Sequence, residues 1–152
     1  MTETPIRWIC KPFDQLSTTE LYALLRLRSE VFVVEQNCPY QDLDKKDQAA
    51  HHLAGYVNES LACYARLLPP GIAYTNYSSI GRVISAPAFR RTGAGRLLMP
   101  EAIRLTKQMY PAHQIKIGAQ LYLLDFYQSF GFEPIGASYL EDNIPHISMI
   151  LR

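Results

Sequence analysis

Apolar and polar positions follow several rhythms along this chain, and each rhythm predicts an element. Ile6 to Cys10 is a short apolar run that predicts an opening strand. Leu21, Leu24, Leu25 and Arg28 then recur at helical spacing and predict a helix from about Thr18 to Arg28. Its start is chemically marked: Ser17 followed by Glu20 is a capping box, with Leu16 and Leu21 at the two staple positions around it. The apolar run continues through Val31 to Val34 until Asn37-Cys38-Pro39, which no helix can cross. Asp42 to Gln48 reads as a solvated charged loop. His51 to Val57 and Leu61 to Leu68 flank Asn58-Glu59-Ser60 and predict a β-hairpin, which Pro69-Pro70-Gly71 ends. Tyr74 to Ser79 is a polar, aromatic loop, and Ile80 to Ser85 a strand. From Gly93 to Met109 the stripe Leu98, Ala102, Leu105 and Met109 predicts a long helix, with Pro100 imposing a kink or a late start. Ile115 to Ala119 predicts a strand, Leu121 to Phe130 a helix with Gly131 as its C-cap, and Glu133 to Tyr139 and His146 to Leu151 two closing strands. This order predicts a mixed α/β, or α+β, domain around one central sheet.

The chain has 152 residues, enough for one domain spanning 1–152 with its own core. Hydrophobic residues make up 48% and charged residues 19%, which excludes a disordered chain. Fifteen basic against fourteen acidic residues leave a net charge of +1, too little for a dedicated nucleic-acid binder. No apolar run is long enough to cross a membrane. The opening Met-Thr-Glu-Thr-Pro-Ile-Arg-Trp predicts no signal peptide. Cys10, Cys38 and Cys63 are odd in number, widely spaced and without a CxxC pair, which fits a reducing cytoplasm better than a disulfide framework or a zinc site. His51 and His52 are neighbours in a strand and point to opposite faces, so they cannot share a metal, and Asp42, Asp44 and Asp47 lack the glycine and terminal glutamate of a calcium loop. No metal is expected. Ten tyrosines, an unusually high number, suit the lining of a cleft as well as a core.

One segment carries chemistry. Ile80 to Ser85 runs through Ala86-Pro87-Ala88-Phe89 into Arg90-Arg91-Thr92-Gly93-Ala94-Gly95-Arg96 and then a helix. The first amides of a helix are unpaired and carry partial positive charge, which suits a phosphate, and glycines let the ligand approach the backbone. Three arginines add charge. No Gly-Lys-Ser/Thr follows, so this is not a Walker loop, and the glycine spacing is not that of the dinucleotide fingerprint.

Arg90-x-x-Gly93-x-Gly95 resembles the signature R/Q-x-x-G-x-G/A of the GCN5-related N-acetyltransferase (GNAT) superfamily. About 30 residues on, Phe126-Tyr127-Gln128-Ser129-Phe130-Gly131-Phe132 resembles the family's helix ending in Tyr-x-x-x-Gly-Phe. The resemblance is closer still to the ElaA-like branch, through Val31 to Asp42 and Asp142-Asn143-Ile144-Pro145-His146-Ile147. It implies a GNAT fold: a mostly antiparallel twisted sheet of about six to seven strands, with one parallel splayed pair, flanked by about four helices. It also implies acetyl-CoA as co-substrate and a primary amine as acceptor, on a small, polyamine-like or peptide molecule. Acetyl would pass by direct attack in a ternary complex, in a monomer or a homodimer.

The same resemblance assigns residues. The splayed strands would be Ile80 to Ser85 and Ile115 to Ala119. The pyrophosphate would lie on Arg91, Thr92, Gly93, Ala94 and Gly95, with Arg90 and Arg96 adding charge. The pantetheine arm would pair with Val83, Ile84 and Ser85, and Val83 would polarise the thioester carbonyl. Gln120 stands where many members carry a cofactor-touching Asn. Tyr127 would touch the cofactor and act as general acid. Glu35 and His146 are candidates for the general base, and Glu35, Arg82 and Tyr40 for acceptor contacts, with pairing to Glu35 the other role open to Arg82. Cys38 is a candidate nucleophile with His146, although nothing in the sequence marks it as activated. Two other functions stay open: a non-catalytic acyl-CoA-binding module, and an acyl-homoserine-lactone-type acyltransferase.

Overall fold

The computed structural model describes residues 5–152; residues 1–4, half of the segment read for a signal peptide, lie outside it. Seven strands are present: β1 (Arg7–Pro12), β2 (His51–Val57), β3 (Ser60–Leu68), β4 (Ser79–Ser85), β5 (Ile115–Gln120), β6 (Glu133–Glu141) and β7 (Ile144–Leu151). Three α-helices join them: α1 (Thr18–Arg28), α2 (Ala94–Met109) and α3 (Leu124–Gln128), one fewer than expected. The strands pair in the orders β1-β2-β3-β4 and β5-β7-β6, antiparallel within each sheet. The expected single sheet is thus split between β4 and β5. These two run parallel and join only beside their N-terminal ends, where Ser78 donates its N–H to Gln114 O (3.1 Å) and accepts from Lys116 N (2.9 Å).

The helix starts follow from local chemistry. Ser17 Oγ accepts the Glu20 amide at 3.0 Å while Glu20 Oε1 accepts the Ser17 amide at 2.8 Å, so both halves of the capping box form. Such a cap contributes about 1 kcal/mol. Lys11 at the end of β1 donates to both oxygens of Glu20 and ties the strand to the helix. The run after α1 is a π-helix, Ser29–Glu35, in which the Gln36 and Cys38 amides reach back five residues to Val31 O (3.2 Å) and Val33 O (3.0 Å). Asn37, at φ +50°, ends it where Asn-Cys-Pro was expected to.

α2 starts on time at Ala94 and continues past Pro100. The predicted helix from 121 to 130 is a 3-10 turn, Leu121–Leu123, followed by the short α3, and Gly131 (φ +99°) caps it as expected. Two cores hold the layers. Leu98, Met99 and Ala102 of α2 pack with Ala65, Leu67, Ile117, Tyr127 and Met149 on one face. Leu24 and Leu27 of α1, with Val31, pack with Tyr64 and Ile84 on the other. β3 lies between them and is buried along nearly its whole length.

Candidate active site

The gap between β4 and β5 opens into a cavity of about 940 Å³. β4 contributes a bulge: Tyr64 pairs with Ile84 and Arg66 with Gly81, so Ala65 faces both Arg82 and Val83. Arg82 sits at φ +50° to make this turn. Beyond Ser78 the edge of β4 facing β5 has no strand against it among the described residues, and its backbone can pair with an extended ligand.

At the far end of β4 the chain turns through Pro87–Phe89 and enters α2. Arg91 (φ +65°) and Gly93 (φ +89°) both take left-handed conformations. Leu97 is the first α2 residue whose amide bonds back, to Gly93 O at 3.1 Å, leaving the amides of Ala94, Gly95 and Arg96 without backbone partners among the described residues. A Cβ on Gly95 would stand 3.2 Å from Ser85 Oγ, so glycine keeps this cradle open. The Arg96 guanidinium lies 5.4 Å from the centre of the Phe130 ring.

Arg90 is engaged with Glu35. It donates two bonds to the Glu35 carboxylate, at 2.9 and 2.6 Å, and these bonds hold Glu35 below the usual carboxylate range. The next residue, Gln36, exchanges amide contacts with Gln120 at the end of β5 (3.4 and 3.5 Å). Consecutive residues after α1 therefore reach to the phosphate-type loop and to β5.

Tyr127 is 7% exposed, and its ring makes edge contacts with Phe126 and Phe132. Its hydroxyl has no hydrogen-bond partner among the described residues, and the side chain lines the cavity. Burial, reinforced by Tyr122, pushes the phenol up to about 12. His146, also 7% exposed, is fixed more tightly. Its Nδ1 lies 2.7 Å from Ile144 O; a carbonyl only accepts, so Nδ1 carries a proton and Nε2 is the ring nitrogen left for other contacts. Tyr139 stacks on the imidazole, and Glu141 Oε2 lies 3.5 Å from Nε2. Two tyrosine hydroxyls crowd Gly118, where a Cβ would meet Tyr139 Oη at 2.8 Å and Tyr74 Oη at 3.3 Å.

The loop read as solvated is instead a buried ion network. Asp42 and Asp47 are buried, as is Arg28. Arg28 donates Nε to Asp42 Oδ2 (2.9 Å) and Nη1 to Asp47 Oδ1 (2.7 Å). Arg66 binds Asp44 (2.8 and 2.9 Å) and Asp47 (3.0 Å). Arg82 binds Asp42 (2.8 Å) and Asp44 (3.3 Å) and lies over the Tyr40 ring, so its partners are these aspartates and not Glu35. Tyr40 donates its hydroxyl to Asp42 Oδ1 at 3.0 Å. His52, the neighbour of half-buried His51, donates Nε2–H to Asp47 O (2.9 Å) and accepts from Tyr64 Oη at Nδ1 (2.6 Å). Cys38 is buried with its thiol directed at Asp142 O (3.4 Å), away from any imidazole contact. Gln36, Tyr74, Tyr139, Glu141 and Asp44 escape a reading of the sequence as site residues, because only the tertiary fold brings them to the cavity.

No helix among the described residues is long and apolar enough to cross a membrane. A family profile described as "Acetyltransferase (GNAT) domain" matches residues 16–152. Protein ElaA of Escherichia coli K12 is 44% identical over 146 residues, covering 95% of each chain. A protein of the UPF0039 group from Synechocystis is 41% identical over 148 residues, covering 97% of this chain and 96% of its own. Among solved structures, an acyl-CoA N-acyltransferase from Pseudomonas aeruginosa superposes with a TM-score of 0.92 at 41% identity, covering 97% of this chain and 100% of that one. E. coli ElaA superposes with a TM-score of 0.91 at 42% identity, with the same coverage. The split between β4 and β5, the glycine cradle opening α2 and the matches over nearly the whole chain agree, and the chain belongs to the GNAT acetyltransferase family, alongside ElaA and the UPF0039 proteins.

Proposed function

We propose that this protein transfers the acetyl group of acetyl-CoA to a primary amine held in the same cavity. The observation that carries this reading is the continuity of one cleft. It runs from the open amides of α2, along the free edge of β4, to the unpartnered Tyr127 hydroxyl and the Nε2 atom of His146.

Each residue has a part that follows from its position. The amides of Ala94, Gly95 and Arg96 and the partial positive charge at the start of α2 hold the pyrophosphate. Arg90, Arg91 and Thr92 flank it, and Gly93 provides the turn. Val83, Ile84 and Ser85 pair with the amide-bearing arm as an added strand would, and the Val83 amide, at the bulge, is the donor we assign to the thioester oxygen. The co-substrate supplies an acyl carbon activated by sulfur. The acceptor arrives as an ammonium and must lose a proton before attack; His146 Nε2 takes it directly or through one water. The N–C bond forms, the C–S bond breaks, the departing thiolate takes the proton of Tyr127, and the second proton that the nitrogen sheds on becoming an amide returns to the phenolate. The phenol sits well above a thiol of about 8.5 in water, so this transfer needs the dry, close geometry that burial provides. We assign the base to His146 and not to Glu35, whose carboxylate is committed to Arg90.

Two outcomes test the cofactor end. Gly95→Val places methyl groups against Ser85 and should weaken acetyl-CoA binding at least about tenfold by calorimetry, since the pyrophosphate loses its closest approach. Unchanged affinity would move the phosphates elsewhere. Glu35→Ala removes the carboxylate that competes for Arg90 and should tighten binding about two- to fivefold, the range for an exposed ion pair. Weaker binding would instead make Glu35 a support of the loop.

A further inference from the structure

The charge around the cavity narrows the acceptor. Most charged groups that line it already have partners: Arg90 is held by Glu35, and Arg66 and Arg82 by aspartates, with Lys46 4.0 Å from Asp44. No lining arginine is left to receive an acceptor carboxylate. Glu141 and Asp142, by contrast, line the cavity with no lysine or arginine paired to either among the described residues. Glu141 is 61% exposed at its side chain, and its Oε2 lies 3.5 Å from His146 Nε2. The Tyr127 hydroxyl, unpartnered and accessible at the end of a side chain that is otherwise buried, opens into the same space. Tyr139 lies against His146 and adds aromatic surface on which a cation is favoured, whereas the ring of Tyr74 already carries the Lys116 ammonium at 4.7 Å.

We infer that the acceptor is a diamine-type molecule, an amine with a second positive charge a short alkyl chain away, and that Glu141 is the residue that selects it. The inference rests on the transfer reading above. The attacking nitrogen stands at His146 Nε2, where its proton is removed, and Glu141, whose Oε2 lies 3.5 Å from that atom, takes the second charge, with Asp142 on the adjoining turn adding to the same negative field. An acceptor whose carboxylate stood in that place would be repelled by both side chains, with no arginine to offset the repulsion. The same argument removes Arg82 as a reader of acidic acceptors, because Asp42 and Asp44 already occupy its donors.

Three acceptors of equal length separate the possibilities: the terminal butanediamine, butylamine, and the omega-amino acid of the same chain. The expected order of kcat/KM is diamine, then monoamine, then amino acid, spanning about tenfold, as two exposed charge pairs would give. Glu141→Gln should bring the three within about twofold, chiefly through KM, and so should a rise in salt. Calorimetry of the diamine with the protein–CoA complex gives a readout independent of turnover, and the diamine's affinity should fall about two- to fivefold in Glu141→Gln. Glu141 stands exposed on a strand end, so this variant is expected to fold, with circular dichroism as the check. Equal rates on all three acceptors, or the amino acid preferred, would overturn the inference and leave the transfer reading intact. Diamine binding that depends on Glu141 without transfer to any amine would support the recognition site and overturn the transfer. Absence of both overturns both.

Discussion

Replacing Tyr127 by Phe is expected to lower kcat about a hundredfold or more while leaving acetyl-CoA affinity within about twofold. The ring is packed between Phe126 and Phe132, and phenylalanine keeps those edge contacts. The hydroxyl bonds to nothing else among the described residues, so its removal leaves no buried partner stranded. What is lost is the proton for the thiolate, needed only as the C–S bond breaks. Burial pushes the phenol up to about 12, so wild-type activity should also show no loss from Tyr127 ionisation anywhere between pH 6 and about pH 10. Steady-state kinetics with parallel calorimetry checks both points. Equal losses in turnover and binding would make Tyr127 a packing residue, and near-normal turnover would favour an acyl-CoA-binding module.

The second large effect concerns the buried ions. Arg28→Ala should destabilise the protein by about 3–5 kcal/mol, because Asp42 and Asp47 would remain buried with one partner fewer. For a chain of this length that is a fall in Tm of roughly 10 °C or more, readable by calorimetry. A fall under about 3 °C would show that the network contributes no more than surface pairs do. The pH dependence has a definite sign. Burial, the largest influence, opposes ionisation of Asp44 and Asp47. The bonds from Arg66 to Asp44, and from Arg28 and Arg66 to Asp47, outweigh it and hold both carboxyls below their ordinary values. A carboxyl lowered on folding stabilises the protein above its unfolded value, about 3.9, and that stabilisation is lost as pH falls through the folded value. These two carboxyls should therefore add a steep loss of stability below about pH 4, while buried His52, held below its ordinary value by burial, should start a decline already below its unfolded value of about 6.5.

The parts of this fold that could be read from the chain are those whose cause is local. Ser17 and Glu20 stand three residues apart and cap each other, so α1 begins and ends where its pattern predicts. Gly131 needs only a left-handed cap, and the cradle from Arg90 to Gly95 is contiguous. Other features have partners far away in sequence. Asp42, Asp44 and Asp47 look solvated until α1, β3 and β4 bring three arginines to them, from as far as 40 residues away. Gln36 and Gln120 meet across 84 residues. Glu141-Asp142-Asn143 reads as an ordinary turn, and only the β6–β7 hairpin sets Glu141 beside His146. The π-helix after α1 has no signature in the apolar pattern, since Val31 to Val34 suits an α-helix or a strand equally well.

The most direct test of transfer itself is a mass-spectrometric assay of purified protein with acetyl-CoA and a panel of primary amines that includes the diamine. The account predicts one N-acetylated amine for each CoA thiol released, with both products falling together in Tyr127→Phe. Acetyl-CoA bound in the cleft but no amine acetylated, or thiol released by hydrolysis alone, would contradict it.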